Sequence, residues 1–448
     1  MTDQPASEST DHLGLFDCLL LSVGGMIGSA IFVFPGSTGR LAGPAAPLAW
    51  LLAGLLMTAI ALCYTELTLA FPRTGALAIF PYETLGPSTR LRAFASYLEG
   101  VGYAIGWVFG ITVSALAIAG YLGTVVPAAA GHTTGVALAA VALVTAINLL
   151  GGQVTSRLNL LLTAVLLAVL VAFVAVATAR VDPARTAPLA VGGPASFLAA
   201  VQISMTAYGA WTVVPAAIGE IREPAYTAPR AILLSLGVTT VLYALVVFAL
   251  HGVVPVDQFL ADGATLRTPL ATAATILGVE WLRYALALGS VAAIFTTMLV
   301  GTMSASRVLF ALGQNGTLPS PFASVTTGTG VPSVGVVAVG GSAAVLSLFP
   351  GYFYELLVVA SIVGTGIPYG INLLSFLGLR RYRTDVQPSF RVPAGHLVAG
   401  VAGVGLVVAM VGLGLTEVVW STVAIALLTG YYAIRRLFGS SPARSASS

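Results

Sequence analysis

Apolar runs separated by polar, proline- or glycine-rich breaks recur twelve times along this chain, at residues 15–35, 47–70, 97–126, 135–150, 158–178, 197–218, 232–253, 281–303, 334–348, 356–377, 397–415 and 418–437. A helix needs roughly 20 apolar residues to cross a bilayer, so these runs predict twelve transmembrane helices. Several are long enough to need tilt or to include interfacial turns. The expected architecture is an all-α polytopic membrane protein with short tails at 1–12 and 438–448, a ten-helix region at 13–378 and two further helices at 397–437.

Two runs are interrupted at mid-span. The first contains Val23-Gly24-Gly25-Met26-Ile27-Gly28-Ser29-Ala30-Ile31-Phe32, and each of its three glycines weakens a helix by about 1 kcal/mol relative to alanine. Close packing through small residues accounts for such a stretch. So does an unwound segment, provided its freed backbone groups face protein or a wet cavity. The sixth run contains Ser204-Met205-Thr206-Ala207-Tyr208-Gly209-Ala210-Trp211, with a single glycine. Interrupted helices at corresponding positions of two halves point to a transporter's central site. The expectation is therefore a five-plus-five inverted repeat, residues 13–178 and 197–378, with discontinuous helices one and six.

Such breaks have a definite chemistry. Unpaired N–H groups near Gly28–Ala30, at a positive helix end, suit a carboxylate. Carbonyls released near Met26 and near Thr206–Gly209 suit an ammonium group, so the pair of breaks fits a zwitterion. No Asp, Glu, Arg or His lies mid-span nearby, and a charge there costs about 2.5–3.5 kcal/mol on insertion scales. A substrate with a strongly charged side chain would find no partner.

Composition narrows the choices. With 57% hydrophobic and 8% charged residues and a mean hydropathy of +0.97, neither a soluble globular protein nor a disordered one fits. The net charge of +3 is too small to suggest nucleic-acid binding. All 19 basic residues are arginine, which excludes a Schiff-base or P-loop lysine. Cys18 and Cys63 fall in apolar runs and read as buried free thiols. No His pair fits a metal site, and no metal or cofactor is expected. Residues 1–11 are polar and mildly acidic, with no cleavable signal visible.

Arginine placement sets the orientation. With the N-terminus inside, 14 arginines fall on inner segments and 5 on outer ones, which puts both termini in the cytoplasm of a cell-membrane protein. Trp50, Trp281 and Trp420 then begin spans at the outer interface, where indole rings prefer to lie.

Several segments resemble the amino acid–polyamine–organocation (APC) superfamily of permeases. Gly24–Phe32 is similar to its glycine-rich G-x-x-x-G-S-G-I-F segment, and Tyr64-Thr65-Glu66-Leu67 with Phe71-Pro72-Arg73-Thr74-Gly75 to its Y-x-E-L…F-P-R-[ST]-G stretch. Thr206–Trp211 resembles the F-A-Y-x-G-W break of helix six. It is followed by Gly219-Glu220-Ile221-Arg222-Glu223-Pro224 and Pro229-Arg230-Ala231-Ile232, close to G-E-[IV]-K-N-P…P-R-A-I. Ser306-Arg307 with Gly313–Pro319 resembles the end of helix eight. The departures are a Thr206 where many relatives carry an aromatic lid, alanines at 30 and 210 in place of glycines, and Leu166 where proton-coupled relatives often have lysine.

The resemblance implies a secondary transporter of amino acids working by alternating access. Its substrate contacts are expected at Met26, Ile27, Gly28, Ser29 and Ala30, and at Thr206, Ala207, Tyr208, Gly209 and Trp211. Glu66, Arg73, Glu220 and Arg230 are expected near inner span ends, as a gate network or a solvated interface. Thr296 and Thr297 are candidates for a sodium site, although such hydroxyls commonly bond back to their own helix. Glu99 and Tyr103 open the third span without an assigned role. The expected partners are a neutral amino acid and the lipid bilayer, with no nucleic acid. Uncoupled exchange or facilitated passage needs the fewest assumptions, because no lysine exists to titrate and no carboxylate or histidine lies near the proposed site. A proton- or sodium-coupled symporter is the alternative. A channel lacks visible rings of carbonyls or charges, an intramembrane enzyme lacks a nucleophile–base pair or metal ligands, and a sensor built on the same fold usually adds a soluble domain.

Overall fold

Inside a bilayer no water is at hand to bond free N–H and C=O groups, so apolar runs of this length resolve into helices. The computed structural model describes residues 13–72, 79–129, 131–151, 156–186, 191–216, 218, 221–261 and 263–438. Among them the only β-type contact is an isolated bridge between Leu13 and Ile221. Among the described residues, seven helical stretches are long and apolar enough to cross a membrane: Ala30–Ala70, Thr89–Val125, Gly193–Pro215, Pro224–Val253, Glu280–Gln314, Pro350–Tyr382 and Gly395–Gly412. Shorter apolar helices at Leu15–Ile27, Thr133–Leu149, Thr163–Thr178 and Ser333–Ser347 accompany them. The protein is an all-helical, multi-pass membrane protein.

The helices that position the centre begin with α1 (Leu15–Ile27), α2 (Ala30–Ala42), α3 (Ala46–Ala70), α4 (Ile79–Thr84), α5 (Thr89–Val125), α6 (Thr133–Leu149) and α7 (Ser156–Thr178). They continue with α8 (Gly193–Ala207), α9 (Val213–Ala216), α10 (Pro224–Val253), α11 (Val256–Ala261), α12 (Gly263–Arg267), α13 (Pro269–Leu277) and α14 (Glu280–Gln314). The last are α15 (Ser333–Ser347), α16 (Phe353–Ser361), α17 (Ile367–Tyr382), α18 (Gly395–Gly412) and α19 (Leu415–Phe438). Although α2 and α3 are nearly contiguous, the chain folds back between them, because Trp50 Nε1 reaches Thr38 Oγ1 at 3.0 Å. The turn runs through Gly43 at φ 55°, a conformation that glycine adopts without strain.

Between the runs at 232–253 and 281–303, the connector holds α11, α12 and α13. Pro269 starts α13 and Gly278, at φ 66°, ends it, the usual asymmetry of helix termini. Trp50, expected at the outer interface, is fully buried. Its indole N–H is bonded to Thr38 and its ring meets Tyr243 edge-on at 4.9 Å, so its polar atom is served by protein and not by headgroups. Trp281 and Trp420 are exposed.

The packing pairs the helices in a regular way. α3 lies along α10, α5 along α14 and α6 along α15. α2 packs on α8, while α1 packs on α9 and on the short turn that precedes it. The two interrupted segments thus run against each other half by half, and their breaks meet at the centre.

Candidate functional site

Helical geometry ends after Ile27. Gly28, at φ −12° and ψ −123°, gives its N–H to Gly24 at 3.3 Å, and α2 begins at Ala30. Neighbouring helices then serve the groups the break frees. Ser29 N–H donates to Thr297 Oγ1 of α14 at 3.0 Å, and the Thr297 hydroxyl donates to the Ala293 carbonyl at 2.9 Å. Glycine at 28 is what admits Thr297, because a Cβ there would lie 2.1 Å from Thr297 Oγ1. On the other side of the break, Tyr243 of α10 donates its hydroxyl to the Met26 carbonyl. The same oxygen lies 3.5 Å from the Ala207 carbonyl at the end of α8, so one phenol spans both breaks.

The second break tightens instead of opening. After Ala207 the chain winds through a 3₁₀ turn at Gly209–Thr212 and resumes as α9. A mid-helix turn of this kind often marks a hinge. A third irregularity was not anticipated: a π-helical turn, Ile362–Gly366, joins α16 to α17. Within it, Thr365 donates its hydroxyl to Thr206 Oγ1 at 3.2 Å, tying the turn to the second break.

These elements enclose a cavity of about 120 Å³. Met26, Ser29, Ala30, Thr206, Ala207 and Gly209 line it from the two breaks, and Thr297 lines it from α14. Ile27, Gly28, Tyr208, Trp211 and Thr296 do not line it. Tyr208 turns away and donates to the Trp50 carbonyl at 2.9 Å; the Thr296 hydroxyl donates to Ala293 at 2.9 Å. One whole wall escaped the sequence reading. Tyr103, Gly106, Trp107, Gly110, Ile111 and Ser114 of α5 line the cavity, at the spacing of a single helix face. Gly106 permits the π turn to approach, since its Cβ would lie 2.3 Å from Gly364 Cα. Among the described residues, none of the lining side chains is charged.

Beside the cavity, Trp211 stacks on the cavity-lining Tyr369 (centroids 6.0 Å apart) and meets Tyr64 edge-on at 5.0 Å. Phe80 of α4 continues the row at 5.1 Å from Tyr64. Beyond these rings, Glu66 takes a bidentate grip on Arg380 of α17, with Nε–Oε1 at 3.0 Å and Nη2–Oε2 at 2.7 Å. The Val392 N–H adds a bond to Oε2 at 2.6 Å. Arg230 takes no part in this: it is exposed and covers the ring of Tyr226. Arg73 and Glu220 lie outside the described residues.

A multi-pass helical bundle with two interrupted helices around a central, uncharged cavity narrows the search to transporters, and comparison with known proteins decides the family. The profile of the amino acid permease family matches residues 13–434. The chain belongs to that family. The branched-chain amino acid permease BcaP of Bacillus subtilis is 28% identical over 427 residues, covering 91% of this chain and 89% of its own. Cationic amino acid transporter 4 of Mus musculus is 29% identical over 405 residues, which is 84% of this chain and 62% of the mouse protein. The methylthioribose transporter of Bacillus subtilis is 27% identical over 405 residues, covering 85% and 84%. This permease therefore belongs to a family of transporters and not of enzymes.

One correction to the sequence reading concerns charge. A carboxylate does lie close to the permease's cavity, because Glu99 is buried on α5 one turn from Tyr103. The offset of four residues put it on the cavity-facing side of the helix.

Proposed function

We propose that this permease carries neutral amino acids across the cell membrane by alternating access, with both termini in the cytoplasm. The reading groups the helices into twelve spans: α1 with α2 as the first, α8 with α9 as the sixth, α16 with α17 as the tenth, and α18 and α19 as the last two. The pairing of α3 with α10, α5 with α14 and α6 with α15 supports an inverted repeat, because each pair joins equivalent spans of the two halves. The arginine asymmetry supports the orientation.

The observation that carries the substrate class is the cavity itself. It sits at the meeting of two helix breaks and its lining is uncharged. The N–H groups of Ala30 and Ile31, in the first turn of α2, have no acceptor within their helix and suit the substrate carboxylate. A cavity of about 150 Å³ accepts a molecule the size of benzene, so one of about 120 Å³ suits a small to branched side chain. Toward the cytoplasm, the Trp211–Tyr64–Phe80 row and the Glu66–Arg380 pair form the closed gate. Counterflow in proteoliposomes loaded with unlabelled leucine tests the reading. Alanine, valine, leucine and methionine should compete with labelled leucine; stronger competition by arginine or glutamate would overturn the neutral specificity.

A further inference from the structure

A second depression, of about 550 Å³, shares no residue with the central cavity. Leu52 and Leu56 of α3, Leu198 and Val201 of α8, and one face of α18 from His396 to Ala409 line it. At a helix's rise per residue it runs about 20 Å along α18, enough to cover the roughly 15 Å depth of one leaflet. Val401 and Val404 are largely exposed, so nothing else in the described chain covers this face.

Glycines set its shape. A Cβ on Gly405 would lie 2.5 Å from Leu56, and one on Gly412 would lie 2.4 Å from Leu198 Cβ. The later turns of α18 therefore press on α3 and α8. A Cβ on Gly400 meets nothing within 4 Å, so toward the start of α18 the helices part and leave a slot.

Hydrocarbon fills an apolar slot on a membrane protein, but it selects no particular lipid, since chains are as apolar outside the slot as within it. Selection must come from the polar end. Among the described residues, His396 is the one lining residue that is not apolar, and it is exposed. Leu397 and Val398 both give their N–H to the Ala394 carbonyl. Those of Gly395 and His396 are left ahead of the helical ladder, at the positive end of α18. Residues 380–394 carry four arginines and one aspartate. Glu66 holds Arg380, while Glu83 and Asp385 hold Arg383. Arg381 and Arg391 are exposed and, among the described residues, have no ion pair. The open end of the slot is thus positive, and a lipid phosphate complements it.

We propose that this groove holds one acyl chain of an anionic phospholipid, with the phosphate at His396 and Arg391. A zwitterionic headgroup adds a cation, which these groups repel. On the orientation proposed above, the lipid belongs to the cytoplasmic leaflet, whose anionic surface attracts basic segments. Seated there, the chain bears on Leu198 and Val201 of α8, the helix that ends at the second break. The site stands whether or not the central cavity takes amino acids.

Native mass spectrometry of the full chain in mild detergent, with equimolar phosphatidylglycerol and phosphatidylcholine of identical chains, reads the selection. One phosphatidylglycerol should be retained over phosphatidylcholine by about fivefold or more, as one basic residue at an anionic surface supplies. Arg391→Gln with His396→Gln should keep lipid bound and bring the two lipids to parity. Gly400→Leu fills the slot and should lower retention of both. Where that variant fails to fold, phosphatidylglycerol with a diazirine at one chain end should label α3, α8 or α18 of the wild type. Equal retention of the two lipids by the wild type would overturn the proposal, as would a preference that survives the double substitution. So would unchanged retention in Gly400→Leu, or labelling confined to other helices. A disulfide between two copies through Val404→Cys would place a second copy in the groove and overturn it as well.

Discussion

The two interruptions at the centre of the bundle solve one problem in different ways. At Gly28 the helix opens, and side chains from distant helices bind the freed backbone: Thr297 holds the Ser29 N–H and Tyr243 holds the Met26 carbonyl. At Gly209 the chain only tightens into a 3₁₀ turn, which keeps its own backbone bonding. The first break is fixed by tight neighbours, whereas a Cβ on Gly209 would meet only Tyr369 Oη, at 3.5 Å. This asymmetry teaches that glycine number tracks how tightly a break is held as well as whether one forms.

That contrast is open to mutation, and the largest effect belongs to the first break. Gly28→Ala drives a Cβ into Thr297 Oγ1 and to 3.2 Å from the Gly25 carbonyl oxygen. Overpacking of this kind costs about 1–3 kcal/mol, and leucine counterflow should fall by about tenfold or more. Adding Thr297→Ala removes the colliding oxygen and should restore part of the loss; no rescue would mean that Thr297 is not the obstacle.

Tyr243→Phe should rank next. It leaves the buried Met26 carbonyl without its donor, a loss of about 1–3 kcal/mol, read as a lower melting temperature in detergent. An unchanged melting temperature would show that the phenol does not hold the two breaks together. Gly209→Ala should have the smallest effect on stability, with a melting temperature in detergent close to that of the wild type, because the added methyl fits at ordinary contact distance. A fall in melting temperature as large as that of Gly28→Ala would erase the distinction between the breaks.

The sequence made some of this legible and hid the rest for physical reasons. The opening between Ile27 and Ala30 follows from local glycine content, which acts within a few residues. The α5 wall was readable too, since 103, 106, 107, 110, 111 and 114 form one helix face, but attention to broken helices passed over an unbroken one. Glu99 falls on that side and was seen only as a residue without a role. The Glu66–Arg380 pair joins positions 314 residues apart, and a single sequence carries no signal for such a partner. The π turn at Ile362–Gly366 depends on packing against Gly106, so the nearby glycines and Pro368 mark a weak point without showing its form. Tyr208 and Trp211 sit in the right segment but on faces that only the packing decides.

The central claim is that the cavity between the breaks holds the amino acid side chain, and Gly110 tests it most directly. Gly110 lines the cavity, and a Cβ built there meets nothing within 4 Å. Gly110→Val therefore reduces the space, with its Cβ clear of every neighbour in the empty protein. Competition between labelled leucine and labelled alanine, measured by counterflow in the same liposomes, gives the ratio that matters. One methylene in an apolar pocket is worth about 10–200-fold in discrimination. The leucine-to-alanine ratio should fall at least about tenfold in Gly110→Val, with alanine transport retained. A ratio equal to that of the wild type would contradict the assignment of this cavity as the substrate site.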